Sequence, residues 1–152
     1  MDIDESDRRI LRVLQDNPQI TMRDLGEATG MSHSPVWRRV QRMQAEGIIS
    51  PLRHVVNAEA VGFDILVLCF VKLAQHQRDR LRAFEEAVAR VPAIMQCFSL
   101  SGEYDYALQV VAKSVKDYEE VVKNALTSLP NVQSINTSFV LKRVKNSLNV
   151  PL

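Results

Sequence analysis

The chain lacks a long hydrophobic run. Its longest apolar stretch, residues 65–71, is the length of a strand and too short to cross a bilayer. It also lacks a basic-then-apolar leader at its start, so a cytoplasmic protein without membrane attachment is expected. Cysteine is scarce. Cys69 and Cys97 both sit in strand-like apolar runs, which predicts buried, reduced thiols rather than a disulfide or a metal pair. The three histidines, His33, His54 and His76, are scattered and share no metal-ligand spacing with the cysteines. No metal and no cofactor is therefore expected. The acids of the second half form no paired arrangement suited to proton transfer, so no catalytic residue is assigned and no enzyme activity is expected. Internal repeats and low-complexity segments are absent as well.

A surplus of one charge sign is missing too: the net charge is +1 over 152 residues. The distribution is more informative than the sum. Residues 1–30 carry four arginines against seven acids, whereas residues 31–57 carry Arg38, Arg39, Arg42 and Arg53 against Glu46 alone. Positive potential is thus gathered at one end of a small module, which favours a nucleic-acid partner.

What is present begins with three short helices. Asp4 caps the first, with Asp7 reaching back in a capping box. Ile10, Leu11 and Leu14 line its inner side and Asn17-Pro18 stops it. Thr21 caps the second, Met22 to Thr29, with Leu25 and Ala28 facing inward and Gly30 closing it. Ser32 caps the third, Pro35 suits its first turn and Gly47 its end. Val36, Val40 and Met43 make one apolar stripe on that helix, with Ser34, Arg38, Gln41 and Arg42 opposite and Trp37 and Arg39 at its flanks.

The joint 30–33, short and containing glycine, is a helix-turn-helix connection. A lone helix of this kind is as a rule a solvated surface helix; the paired context makes it a DNA-reading helix. Ser32 and the amides after it are expected to hold a phosphate. Ser34 and Arg38, with His33 and Trp37, are expected to read base edges of double-stranded DNA. Arg42 is expected on the DNA backbone; Arg39, beside the core, is counted among the DNA-binding residues, with a tie to acids of the first two helices as its alternative. The β-rich segment 48–56 predicts a wing hairpin with Arg53 at its tip, where a phosphate contact and a solvated arginine fit equally well.

After residues 58–62, read as a linker, the pattern changes. Strands are predicted over 65–73, 94–101, 106–112 and 136–143, and helices over 80–91 and from Ser114 to Leu129. A tight turn, Gly102-Glu103-Tyr104-Asp105, joins the middle strands. The order β-α-β-β-α-β is that of a ferredoxin-like module. The first strand is apolar on both faces, yet two helices cover only one. Leu66, Leu68 and Phe70 are left outward, which predicts a homodimer through the sheet. The fold class is therefore α+β: a winged helix-turn-helix domain over 1–57 joined to a ferredoxin-like effector and dimerisation domain over 63–152, with its last residues loose.

Taken in order, these segments resemble the Lrp/AsnC (feast/famine) transcriptional regulators over nearly the whole chain. The resemblance is carried by Asp4-Glu5-Ser6-Asp7-Arg8-Arg9-Ile10-Leu11 with Leu14-Gln15, by residues 31–40, and by Glu46-Gly47-Ile48-Ile49. The second half contributes Ser101-Gly102-Glu103-Tyr104-Asp105-Tyr106, Leu129-Pro130-Asn131-Val132 and residues 137–142. It implies control of transcription by an amino acid or related metabolite, dimers that assemble further, and a roughly palindromic operator. It also implies an effector pocket around Gly102, Glu103, Tyr104 and Asp105. Two departures stand out: glutamate at 103 where the family usually has aspartate, and Ser50-Pro51-Leu52 in place of a glycine-containing wing turn. Two other classes on the same architecture are an architectural DNA-compacting protein and a tetrapyrrole decarboxylase-like enzyme.

Overall fold

The computed structural model describes residues 3–152. It divides into two compact units. One comprises the chain up to Val55 together with Lys145–Leu152, and the other is Val56–Val144.

The first unit is built on α1 (Glu5–Asp16), α2 (Met22–Thr29) and α3 (His33–Ala45). The capping box at α1 forms in full, the Asp4 carboxylate accepting from Asp7 N–H and the Asp7 carboxylate from Asp4 N–H. Ile10, Leu11, Leu25, Val36, Val40 and Met43 make the core. At α2 the inward positions differ from the sequence reading. Ala28 is exposed, and Gly26 and Thr29 are buried instead. Thr29 is admitted because its hydroxyl donates to the Leu25 carbonyl at 2.6 Å, leaving no unpaired polar atom. Gly26 is required by a close approach: a Cβ there would stand 2.8 Å from the Met31 carbonyl oxygen, in the turn that leads into α3. Gly30 and Gly47, at φ 69° and 72°, close α2 and α3 as expected.

No strand pairing forms over Ile48–Val56. Leu52, Val55 and Val56 are largely exposed, and Pro51 has no N–H to give a ladder. The wing segment is thus an extended connection here, and Arg53 lies exposed on it rather than at a hairpin tip.

The second unit carries β1 (Ile65–Leu73), α4 (Arg78–Val88), β2 (Ile94–Ser99), β3 (Tyr106–Ala112), α5 (Val115–Asn124) and β4 (Val132–Phe139). Its four strands are ordered β2-β3-β1-β4, all antiparallel. Val67, Cys69, Val71, Leu108 and Val110 point to one face, where Phe84 of α4 and Tyr118 of α5 pack on them. The other face holds Leu66, Leu68 and Phe70 with Phe98 of β2, half-buried or exposed. Phe70 and Phe98 flank Ala107, the residue opposite both.

Several boundaries depart from the sequence reading, and two strands end early, β2 at Ser99 rather than 101 and β4 at Phe139 rather than 143. The segment read as a single helix to Leu129 is α5 followed by a separate 3-10 turn at Leu126–Ser128. β4 starts four residues earlier than predicted, because Asn131 adopts φ 65° and sends the chain directly into pairing with β1. α4 starts at Arg78 and ends at Val88. Cys69 is buried as expected, but Cys97 is exposed on the edge strand β2. The closing residues, expected to be loose, have no regular secondary structure but are hydrogen-bonded to α1.

Candidate functional site

The outward face of α3 follows from its inward one. With Val36, Val40 and Met43 fixed in the core, Ser32, His33, Ser34, Trp37, Arg38 and Arg42 are all exposed. Ser32 occupies the N-cap position, but its hydroxyl makes no capping bond. The positive end of the helix therefore faces outward without a side-chain acceptor of its own, a setting that suits an anion.

Beneath this face lies a carboxylate clamp. Asp7 is fully buried, and its two oxygens take one arginine each: Arg39 Nη1 at 2.8 Å and Arg42 Nη2. Arg39 Nη1 also lies 2.7 Å from Asp4. The bond to Asp7 and the second to Asp4 raise the Arg39 pKa above its usual value. The Asp4 carboxyl is held below its ordinary range, first by the backbone N–H of Asp7 and then by Arg39. Arg39 thus ties α3 to α1, within the group of acids that the sequence reading named. Arg42 is half-committed in the same way, a link not foreseen from sequence. Asp4, Pro35, Arg38, Arg39 and Arg42 line a shallow notch of about 350 Å³. Of its three arginines, Arg38 alone has no ion pair among the described residues.

The second candidate site is the turn between β2 and β3. Gly102 and Glu103 are exposed, and a Cβ at Gly102 would meet nothing within 4 Å, so open space lies beside this backbone. The Tyr104 ring rests on Phe70, centroids 5.6 Å apart. Asp105 is bound on both sides. One carboxylate oxygen accepts from Leu73 N–H at 2.7 Å and the other is 2.7 Å from His76 Nε2. Its main chain donates to the Val71 carbonyl and accepts from Leu100 N–H. The Leu73 N–H, and after it His76, hold the Asp105 carboxyl below the usual carboxylate range. His76 is 29 residues away in sequence, on a loop, and nothing in its local pattern pointed to this pairing. Among the described residues no group of histidines, cysteines and acids could hold a metal ion.

Residues 3–50 match the family described as winged helix-turn-helix DNA-binding, and residues 66–150 the Lrp/AsnC ligand binding domain. The leucine-responsive regulatory protein of Rhizobium meliloti is 35% identical over 153 residues, covering 100% of this chain and 97% of that protein. The Bkd operon transcriptional regulator of Pseudomonas aeruginosa is 35% identical over 143 residues, 94% of each. Among solved structures, a transcriptional regulator from Neisseria meningitidis in complex with L-methionine superposes with a TM-score of 0.90. It is 31% identical, with 99% of this chain and 97% of that one covered. A helix-turn-helix unit with an open arginine-bearing face, a four-stranded antiparallel unit and matches along the full chain converge: the protein belongs to the Lrp/AsnC family of transcriptional regulators.

Proposed function

We propose that the protein acts in the cytoplasm as a homodimer, and in higher assemblies of it, on roughly palindromic operator DNA, with an amino acid or related metabolite as effector. The observation that carries the DNA part is the division of labour on α3. The buried stripe fixes the helix while Ser34 and Arg38 project from its far side. In this reading Arg38 forks onto a base, His33 and Trp37 lie beside it, and Ser32 with the first-turn amides holds a phosphate. Arg42 and Arg39, held by Asp7, supply backbone contacts from fixed positions, and Arg53 supplies one from the extended connection. Two such helices on a dimer meet half-sites about one turn of DNA apart, or a multiple of it. The sheet face bearing Leu66, Leu68, Phe70 and Phe98 supports the dimer.

The effector part rests on the open turn. An amino-acid zwitterion needs a carboxylate for its ammonium and N–H donors for its own carboxylate. Asp105 offers the first and the amides around Gly102 the second. The L-methionine complex of the Neisseria meningitidis relative supports an amino acid as the ligand class.

Selection of bound DNA fragments, with and without each standard amino acid, tests the whole reading. Arg38→Ala is expected to cost about 1–3 kcal/mol on the selected operator and to relax preference at one base pair. Equal affinity and selectivity in that variant would remove Arg38 from the base-reading role. Calorimetry of wild type, Asp105→Asn and Gly102→Thr against the amino acid identified tests the turn. Binding unchanged by both substitutions would take the turn out of the site.

A further inference from the structure

Residues 149–152 make an unusually complete set of contacts for a segment without regular secondary structure. Lys145–Leu152 belongs to the helix-turn-helix unit although it follows β4 of the other unit. The Gln15 side-chain amide recognises one residue of it from both sides. Its Oε1 accepts from Val150 N–H at 2.7 Å and its Nε2 donates to the Val150 carbonyl at 3.2 Å. Arg12 Nε donates to the Leu152 carbonyl at 2.9 Å, and Asn149 Nδ2 to Asp16 at 3.4 Å. Leu152 is half-buried against the unit's apolar core. Pro151, between the two anchored residues, has no N–H to leave unpaired.

Arg12, Gln15 and Asp16 stand at i, i+3 and i+4, so one face of α1 presents all three. They hold the backbone of Val150 and Leu152 and the side chain of Asn149, and Leu152 adds an apolar anchor. The stretch before it contrasts sharply. Leu141, Val144 and Leu148 are 98%, 89% and 85% exposed, and no regular structure forms after Phe139. The segment therefore consists of an exposed span followed by a specific grip.

We propose that this face of α1 is a docking site for the chain's own segment Asn149–Leu152, and that the docked segment is a second restraint on the DNA-reading unit. The unit is left by the chain at Val55 and re-entered at Lys145. Whatever changes at the end of β4 is then felt by α1, and through the Asp7 clamp by the arginines of α3. The docking stands by itself; its regulatory consequence rests on the DNA-binding reading.

The experiment uses the full-length protein, a chain ended after Val144, and a full-length Gln15→Ala/Leu152→Asp variant in case the shortened chain folds poorly. Amide exchange in α1, without DNA or effector, is the first readout. Protection over Glu5–Asp16 is expected to fall several-fold in both variants. In the shortened chain it is expected to return on adding a synthetic peptide of residues 145–152. Unchanged protection in both variants would overturn the docking. Asp16→Cys/Asn149→Cys in a Cys97→Ser background, joined by a short bismaleimide, is the second readout. A cross-linked product of single-chain mass is expected, and one of double mass would give the site to a second copy's tail. The third is the ratio of operator affinities with and without effector. A coupling of roughly 5- to 150-fold in wild type is expected to collapse toward one in the variants, and an unchanged ratio would overturn the restraint. Failure of the intact protein to bind any operator would instead count against the DNA-binding reading, while exchange and cross-linking still decide the docking.

Discussion

The two units close their interiors by different means. The effector unit packs thirteen buried residues, among them Phe84, Tyr106 and Tyr118, with no buried charge among the described residues. Its two buried tyrosine hydroxyls are both paired, Tyr118 with Cys69 and with the exposed Thr137, and Tyr106 by donating to Glu85 at 2.7 Å. Burial first, then the contact with Cys69, pushes the Tyr118 hydroxyl up to about 12. The helix-turn-helix unit has six buried apolar residues and places a carboxylate among its helices. A small core gives α1 and α3 few contacts to fix their angle. The ion pairs of Asp7 make up that deficit, at the cost of burying a charge that is stable only while both arginines remain. The larger unit can leave its polar chemistry at the rim, on Asp105. In the smaller one, the arginines that join the helices also line the outward notch of α3.

The strongest test of this contrast is Phe84→Ala. Removing a fully buried ring from the large core is expected to cost about 3–5 kcal/mol. Denaturation followed by far-ultraviolet dichroism should register it, while fluorescence of Trp37, the only tryptophan and part of α3, should hardly change. Independence of the units fails if both signals shift together.

Asp7→Asn comes next. It keeps the shape but removes the charge shared by two partly exposed arginines, so about 2–3 kcal/mol of the first unit's stability is expected to go. The Trp37 signal reads this directly. A loss under half a kcal/mol would mean that the apolar residues alone set the helix angle.

Gly26→Ala should be milder. Ala gains about 1 kcal/mol as a helix former, but its Cβ would press on the Met31 carbonyl, so a net loss of about 1–2 kcal/mol is expected. Stabilisation would show that the turn between α2 and α3 yields.

The smallest effect concerns acid. Asp105 has a folded pKa below its ordinary value, so its contribution to stability is complete above about pH 3.9. It is lost as pH falls through the lowered folded value. Asp105→Asn should therefore flatten the acid limb of a stability curve for the effector unit. An unchanged limb would detach the carboxylate from the fold.

The parts legible in the sequence were those decided by near neighbours. The α1 capping box spans three residues, and the stripe of α3 repeats within one helix, so both emerged as read. β1 and β3 matched residue for residue because their apolar runs end at clear breaks. Partnerships between distant segments were not legible. Ala28 and Thr29 compete for one inward position, and the outcome turns on a hydroxyl finding the Leu25 carbonyl. The start of β4 is set by pairing with β1, more than fifty residues earlier. The links from Asp7 to Arg42, from Asp105 to His76 and from Gln15 to Val150 span 35, 29 and 135 residues. In each case the side chains are ordinary surface types until the fold brings them together.

The Asp7 clamp also bears on how such a protein would search a genome. The notch on α3 gathers three guanidiniums, but Asp4 and the buried Asp7 answer two of them, leaving one positive charge. On the proposed reading, a notch so nearly neutral would itself release few counterions on arbitrary DNA, and the grip it adds to the other backbone contacts would be weak and only mildly dependent on salt. Time spent on wrong sites would be short, and little of the protein would be held in the vast excess of them. Discrimination would then fall to the proposed contacts of Arg38 and its neighbours with the correct bases, which depend on hydrogen-bond geometry rather than on net charge.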